Sequence, residues 1–238
     1  MRSILSLLSL APLALAAPLL ESRQGCPSGV HIIAARGSTE APGEGKLQEL
    51  SDDIGAQIPG STNEAVIYPA TLLPYESSEE TGVTDMTQLI TNFVAKCPSA
   101  QIILTGFSQG AQIVGDVLGG GSFTGTAPLP EQYRQNILAA ILFGDPSFIP
   151  GKSYDMGNAT HHGLFPRENT AQLDTYSAQI GSWCMDGDPV CAEGLHLSHH
   201  TSEVETFQSA ALSFALGKAQ AFGFQTQQNF QRRYEKWD

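Results

Sequence analysis

The sequence predicts an α/β protein built on a mostly parallel sheet. Three observations point there. Several short segments are near-continuous apolar runs rather than alternating ones, as expected of strands covered on both faces. Segments with apolar residues at helical spacing lie between them. One run ends in GFSQG (106–110), a glycine-flanked turn of the kind that links a strand directly to a helix.

The elements follow in order. GVHIIAARGSTE (29–40) reads as a buried strand stopped by a Gly-Ser-Thr loop. KLQELSDDIGAQI then places Leu47, Leu50, Ile54 and Ile58 on one helical face. EAVIYPA (64–70) reads as a second strand and TLLPYESSEETG as a loop. Met86, Leu89, Ile90, Phe93 and Val94 form the apolar face of a second helix. AQIILTG (100–106) is a third strand, and AQIVGDVL (111–118) a helix ended by the glycines at 119–121, which propagate a helix poorly. ILAAILFGDP (137–146) is a fourth strand and QLDTYSAQI (172–180) a candidate fifth. Val204, Phe207, Ala211 and Phe214 mark a last helix, with Thr201 or Ser202 expected to cap it. Residues 218–238 are glutamine-rich with scattered aromatics and read as an appended tail.

The N-terminus carries one positive charge and a short apolar run ending at Ala14-Leu15-Ala16, the pattern of a secretory signal peptide over residues 1–16. A propeptide could extend to Arg23. Residues 24–217 suit one sizeable domain. Charged residues make up only 15% of the chain, acidic residues outnumber basic ones 24 to 12, and the net charge is −12. Nucleic acid and anionic membrane would both repel such a surface, so neither is an expected partner. In an oxidising compartment the four cysteines imply two disulfides. Cys184 and Cys191 are close in sequence and pair, which leaves Cys26 with Cys97. Asn158-Ala159-Thr160 is a glycosylation sequon.

The chemistry begins at GFSQG. Its glycines permit a tight turn that projects Ser108 from the carboxyl edge of the sheet. The backbone N–H of Gln109 then lies at a helix N-terminus, where it can stabilise a developing oxyanion. A serine nucleophile needs a base, and the base needs an orienting acid. Asp145, at the end of the fourth strand, and Asp188, inside the Cys184–Cys191 loop, both qualify by position, with Asp186 a weaker neighbour. Ser38 follows the first strand, so it lies at the same sheet edge as Ser108 and could be a second oxyanion donor.

From GVHIIAARGSTE through GFSQGAQ and WCMDGDPVC to the last helix, roughly 26–217, the chain resembles the fungal cutinase and acetylxylan esterase family. The resemblance implies a three-layer α/β-hydrolase-like sandwich around a five-stranded parallel sheet. It implies Ser108 as nucleophile, Asp188 as acid, Ser38 and Gln109 as oxyanion donors, and the same cysteine pairing. Asp145 then becomes a structural residue. It also implies a base shortly before the last helix. His200 stands twelve residues after Asp188, His199 eleven and His196 eight, and the family spacing favours His200. The wording HLSH at His196 argues for that residue instead. His31 lies within a strand, and His161 and His162 beside the sequon, so none is expected to act in catalysis.

The expectation is therefore a secreted, monomeric carboxylic ester hydrolase that needs no metal or cofactor. Short-acyl esters such as acetylated xylan are the expected substrates, because AEGLHLSHH is mostly polar; cutin polyester is the alternative. A catalytically dead wall-polymer binding protein and a metallo-hydrolase are the rivals from other classes.

Overall fold

In a computed structural model, residues 25–121 and 124–227 are described. The expected signal peptide, the propeptide and most of the tail lie outside them. Five strands, β1 (His31–Ala35), β2 (Thr62–Ala65), β3 (Ile102–Phe107), β4 (Ile137–Phe143) and β5 (Ile180–Trp183), form one sheet in the order β2-β1-β3-β4-β5. Every neighbouring pair is parallel. The helices are α1 (Gln48–Gln57), α2 (Tyr75–Lys96), α3 (Gln109–Gly119), the single turn α4 (Ala171–Asp174) and α5 (Leu197–Phe222).

The apolar runs are explained by coverage on both faces. Within β1, Ile33 and Ala35 pack toward α2 and α3, beside Met86, Ile90 and Val114. Ile32 and Ala34 point the other way, to Leu50 and Ile54 of α1 and Val204 and Leu212 of α5. Strands β3 and β4 divide their side chains in the same manner. Two cores sandwich the sheet, so both alternating positions must be apolar.

Five boundaries differ from expectation, each for a physical reason. α2 starts at Tyr75, eleven residues before Met86 opens the expected apolar stripe. Its first turns bury Ser78, Glu79 and Gly82 rather than large apolar groups. A Cβ at Gly82 would lie 2.3 Å from Ile113 Cδ1, so α2 and α3 approach too closely there for a larger residue. β2 is confined to the polar Thr62–Ala65, because the Arg36 guanidinium takes the Tyr68 carbonyl at 2.8 Å beyond the ladder's end. The segment read as a fifth strand instead opens with α4. Leu173 and Tyr176 bury at helical spacing, and β5 begins only at Ile180.

α5 starts at Leu197 with His196 at the N-cap, so neither Thr201 nor Ser202 caps it. Their hydroxyls bond back to the Ser198 carbonyl at 3.2 and 2.8 Å, from within the helix. The helix continues through residues 218–222, the start of the segment read as a tail. It stops at Gly223, whose φ of +113° ends it in the left-handed region. Among the described residues no helix is long and apolar enough to cross a membrane.

Candidate active site

The GFSQG turn joins β3 to α3 at the carboxyl edge of the sheet. Ser108 sits at the N-cap with φ +55° and ψ −121°, an unusual conformation for a residue with a Cβ. The turn survives because its surroundings hold it. The Ser108 N–H donates to the Phe143 carbonyl of β4 at 2.9 Å. A Cβ at Gly110 would lie 1.9 Å from the Ala35 carbonyl oxygen, and one at Gly106 would lie 2.3 Å from that of Gly110. Only glycine lets this turn sit down on β1.

Three side chains from three elements meet at Ser108. His200, in the first turn of α5, places Nε2 2.9 Å from Ser108 Oγ. Its Nδ1 lies 2.8 Å from Asp188 Oδ2. With one partner on each ring nitrogen, Nδ1–H donates to the carboxylate and Nε2 is left to accept from the hydroxyl. Phe107 stacks on the imidazole with ring centroids 5.1 Å apart. Asp188 is fully buried in the Cys184–Cys191 loop, and its Oδ1 accepts the N–H groups of Val190 at 2.6 Å and Cys191 at 3.2 Å. Burial pushes its carboxyl up, but the His200 hydrogen bond and charge, with the two N–H groups, outweigh that and hold it below the ordinary carboxylate value.

The other candidates are engaged elsewhere. His199 Nδ1 pairs with the Asp186 carbonyl at 2.8 Å, and His196 is exposed beside it, with ring centroids 4.9 Å apart. His31 lies between Thr62 Oγ1 and Glu64 Oε1, each at 2.8 Å, and stacks on Phe93. His161 and His162 are exposed. Asp145 accepts the Ser147 N–H at 2.8 Å and belongs to a buried charge cluster. Burial pushes its carboxyl up to about 6 against the lowering effect of Arg167. Asp186 is exposed, its N–H bonded to Asn158 Oδ1 at 2.9 Å.

Ser38 follows β1, the neighbour of β3 in the sheet, and its hydroxyl is buried with no hydrogen-bond partner among the described residues. Thr39, with φ +68°, donates its N–H to the Ala70 carbonyl at 2.7 Å. Glu40 Oε2 accepts the Gly37 N–H at 2.6 Å, and Oε1 the Lys46 N–H at 3.0 Å. These bonds hold the Ser38 loop in shape. The Gln109 amide points into the protein: Nε2 donates to the Thr71 carbonyl at 3.2 Å, and Oε1 accepts the Ser78 hydroxyl at 3.1 Å. Gln109 thus ties the turn to the start of α2 and leaves its backbone N–H at the helix N-terminus.

These supports carry little signal in the sequence. Glu40 lies only two residues past Ser38, and its spacing to Gly37 was the available signal. Nothing local marks Ser78 or Phe107. The cysteines are bonded as Cys26–Cys97 and Cys184–Cys191. Cys184, Cys191 and Glu203 are close enough to hold a metal, but the two sulfurs are spent on each other. Near His200 the surface is less polar than AEGLHLSHH suggests, since Leu195 and Leu197 are 93% and 62% exposed.

A family model described as cutinase matches residues 25–219. The chain belongs to the cutinase family. Its family membership makes it a carboxylic ester hydrolase. It is 32% identical to acetylxylan esterase 2 of Talaromyces purpureogenus over 90% of this chain and 96% of that protein. It is 33% identical to cutinase 11 of Verticillium dahliae over 91% of this chain and 77% of that one. Among solved structures, an acetylxylan esterase superposes with a TM-score of 0.76 at 32% identity, over 82% of this chain and all of the other. The catalytic core of the Trichoderma reesei acetyl xylan esterase gives 0.75 at 30% identity, over 81% and 99%. The five-stranded parallel sheet is therefore that of a cutinase-like α/β-hydrolase.

Proposed function

We propose that this cutinase-family chain is a secreted serine esterase that cleaves short-acyl esters, such as those of acetylated xylan, through an acyl-enzyme. The observation that carries the reading is the unbroken relay from Ser108 Oγ through His200 to buried Asp188. Ser108 Oγ forms a bond to the ester carbonyl carbon while its proton passes to His200 Nε2. Asp188 stabilises the imidazolium and keeps the ring oriented. The Gln109 N–H and the Ser38 loop hold the oxyanion. The carbon–oxygen bond to the leaving alcohol breaks, and the alcohol takes the proton from His200. Water then gives its proton to His200 and hydrolyses the acyl-serine, releasing acid and free Ser108. No cofactor enters these steps.

The short-acyl preference is supported by the acetylxylan esterase relatives. A second reading, cutin and longer-acyl esters, is favoured by a specific feature. Exposed Leu72, Leu73, Phe165 and Leu195 lie on loops that follow β2, β4 and β5, and exposed Leu197 opens α5, at the edge of the sheet that carries Ser108. Such a rim suits an apolar polymer. Secretion fits the two disulfides and the exposed sequon residue Asn158.

Ser108→Ala should reduce turnover of a chromogenic acetate ester by at least roughly 10⁴-fold. Retained turnover would overturn the mechanism. Absence of labelling by a serine-directed organophosphate would instead support a binding protein that has lost its chemistry. Rates across acyl lengths from acetate to palmitate decide between the two substrates, since the short-acyl reading requires a peak at acetate.

A further inference from the structure

Glu203 is a buried acid beside the proposed relay to which the ester chemistry assigns no step. It lies one helical turn beyond His200 on α5 and is 0% exposed. Its Oε1 accepts the N–H of Met185, in the Cys184–Cys191 loop, at 2.6 Å. The same oxygen lies 3.6 Å from Cys191 Sγ, which is bonded to Cys184 and carries no hydrogen. Oε2 is buried and meets no N–H or O–H donor among the described residues. The Asp188 carboxyl lies close enough to the Glu203 carboxyl for the two to share a hydrogen bond. A Cβ at Gly144, at the end of β4, would lie 2.9 Å from His200 Cε1 and 3.6 Å from Glu203 Cγ, so the strand end packs against both side chains.

Two buried carboxyl groups facing one another do not both ionise near neutral pH. The count of donors says which keeps its proton. Asp188 accepts from Val190, Cys191 and His200, whereas Glu203 accepts from Met185 alone. The negative charge therefore belongs on Asp188 and the proton on Glu203. Burial, followed by the Asp188 charge and their shared hydrogen bond, pushes Glu203 up to about 9 despite the Met185 N–H.

We propose that Glu203 is a positioning residue: it joins α5 to the Cys184–Cys191 loop and holds Asp188 facing His200. The inference rests on the serine-esterase reading above. As the neutral acid, Glu203 accepts from Met185 with one oxygen and donates its O–H to the Asp188 carboxylate with the other. Both contacts act on the loop that carries Asp188, and both originate one turn from His200, so the acid and the base are located relative to each other. The titratable group that acts on Glu203 is Asp188 from the loop, and Gly144, just past β4, packs against its side chain. When Glu203 loses its proton, two carboxylates confront each other and the bridge becomes a repulsion.

The test uses the full chain with Glu203→Gln and Glu203→Ala, reading kcat and KM for an acetate ester on both sides of about pH 9. Glutamine keeps one acceptor and one donor and cannot ionise. It should retain kcat within about twofold and lose the wild-type decline above about pH 9. Alanine should lower kcat by roughly tenfold or more with KM little changed. Wild-type kcat in Glu203→Ala, or an unchanged alkaline decline in Glu203→Gln, would overturn the proposal. If the alanine variant does not fold, the glutamine profile decides alone. The melting temperature is a readout independent of activity. Relative to Glu203→Gln, the wild type should lose stability as pH rises toward about 9, and parallel profiles would overturn the bridge. Turnover retained by Ser108→Ala would instead remove the esterase reading, and the melting profiles would still report on the bridge.

Discussion

Ser38 and Asp188 contribute to the proposed reaction in different ways, and single substitutions separate them. The Ser38 hydroxyl is buried without a hydrogen-bond partner among the described residues, so it can meet an oxygen that becomes negative only during reaction. Ser38→Ala should lower kcat by roughly 10²-fold with KM nearly unchanged, the effect of one lost oxyanion donor. Steady-state kinetics on the acetate ester check this, and a change confined to KM would contradict it. Asp188→Asn keeps the shape but presents an amide that can stabilise the wrong imidazole tautomer. It should lower kcat by roughly 10⁴-fold while the protein still melts cooperatively. Ser108 was legible because its glycine neighbours and its strand–helix context are local in sequence. The choice of His200 over His196 and His199 rested on the acid-to-base spacing that the family resemblance implies. Glu203 was not legible, because a glutamate on an amphipathic helix ordinarily faces water, and only packing against Met185 and Gly144 makes it internal.

Among the elements, the Cys184–Cys191 loop and α5 act together. The loop spans seven residues and the Cys26–Cys97 loop seventy-one. Chain entropy then assigns the long closure about 4 kcal/mol and the short one about 2 kcal/mol. Replacing Cys26 and Cys97 with alanine should lower the melting temperature more than replacing Cys184 and Cys191. The short closure surrounds Asp188, so its removal should lower kcat more. Melting curves and kcat for the two double variants check the crossover, and the same ranking in both measurements would contradict it. The helix starts show where sequence patterns stop informing. α2 begins about three turns before its apolar stripe because its first turns bury Ser78, Glu79 and Gly82, residue types that read as loop. The hydroxyls of Thr201 and Ser202 look like caps but bond inward to Ser198, so α5 starts earlier and carries His200 in its first turn.

Across the molecule, buried acids link stability to pH. Burial, then the charge and hydrogen bond of Asp116, push Glu79 up to about 9, and burial pushes Asp145 up to about 6. The folded protein keeps protons there that the unfolded chain releases above the ordinary carboxylate range. This contribution is full below about pH 4.5 and is lost as pH rises through about 9. Asp188, held below its ordinary value, acts in the opposite sense and contributes stability that is lost only at acid pH. Melting temperature should therefore fall between mildly acidic and alkaline pH. Glu79→Gln should flatten that slope without altering ester specificity. A profile that rises steadily toward pH 9 would contradict the account.

The family resemblance chose Asp188 over Asp145 and His200 over its neighbours, whereas residue order alone pointed to the sheet class, the strand–helix turn at Ser108 and the cysteine pairing. These are local matters: apolar runs for strands covered on both faces, glycines where a Cβ cannot fit, and two cysteines close along the chain. The meeting of Ser108 with His200, ninety-two residues apart, needed the folded sheet and α5. So did the inward turn of Gln109, the retirement of Asp145 into a charge cluster, and the proton that Glu203 keeps. Each depends on what distant segments bring against a side chain, and burial of that kind has no period or spacing in the sequence.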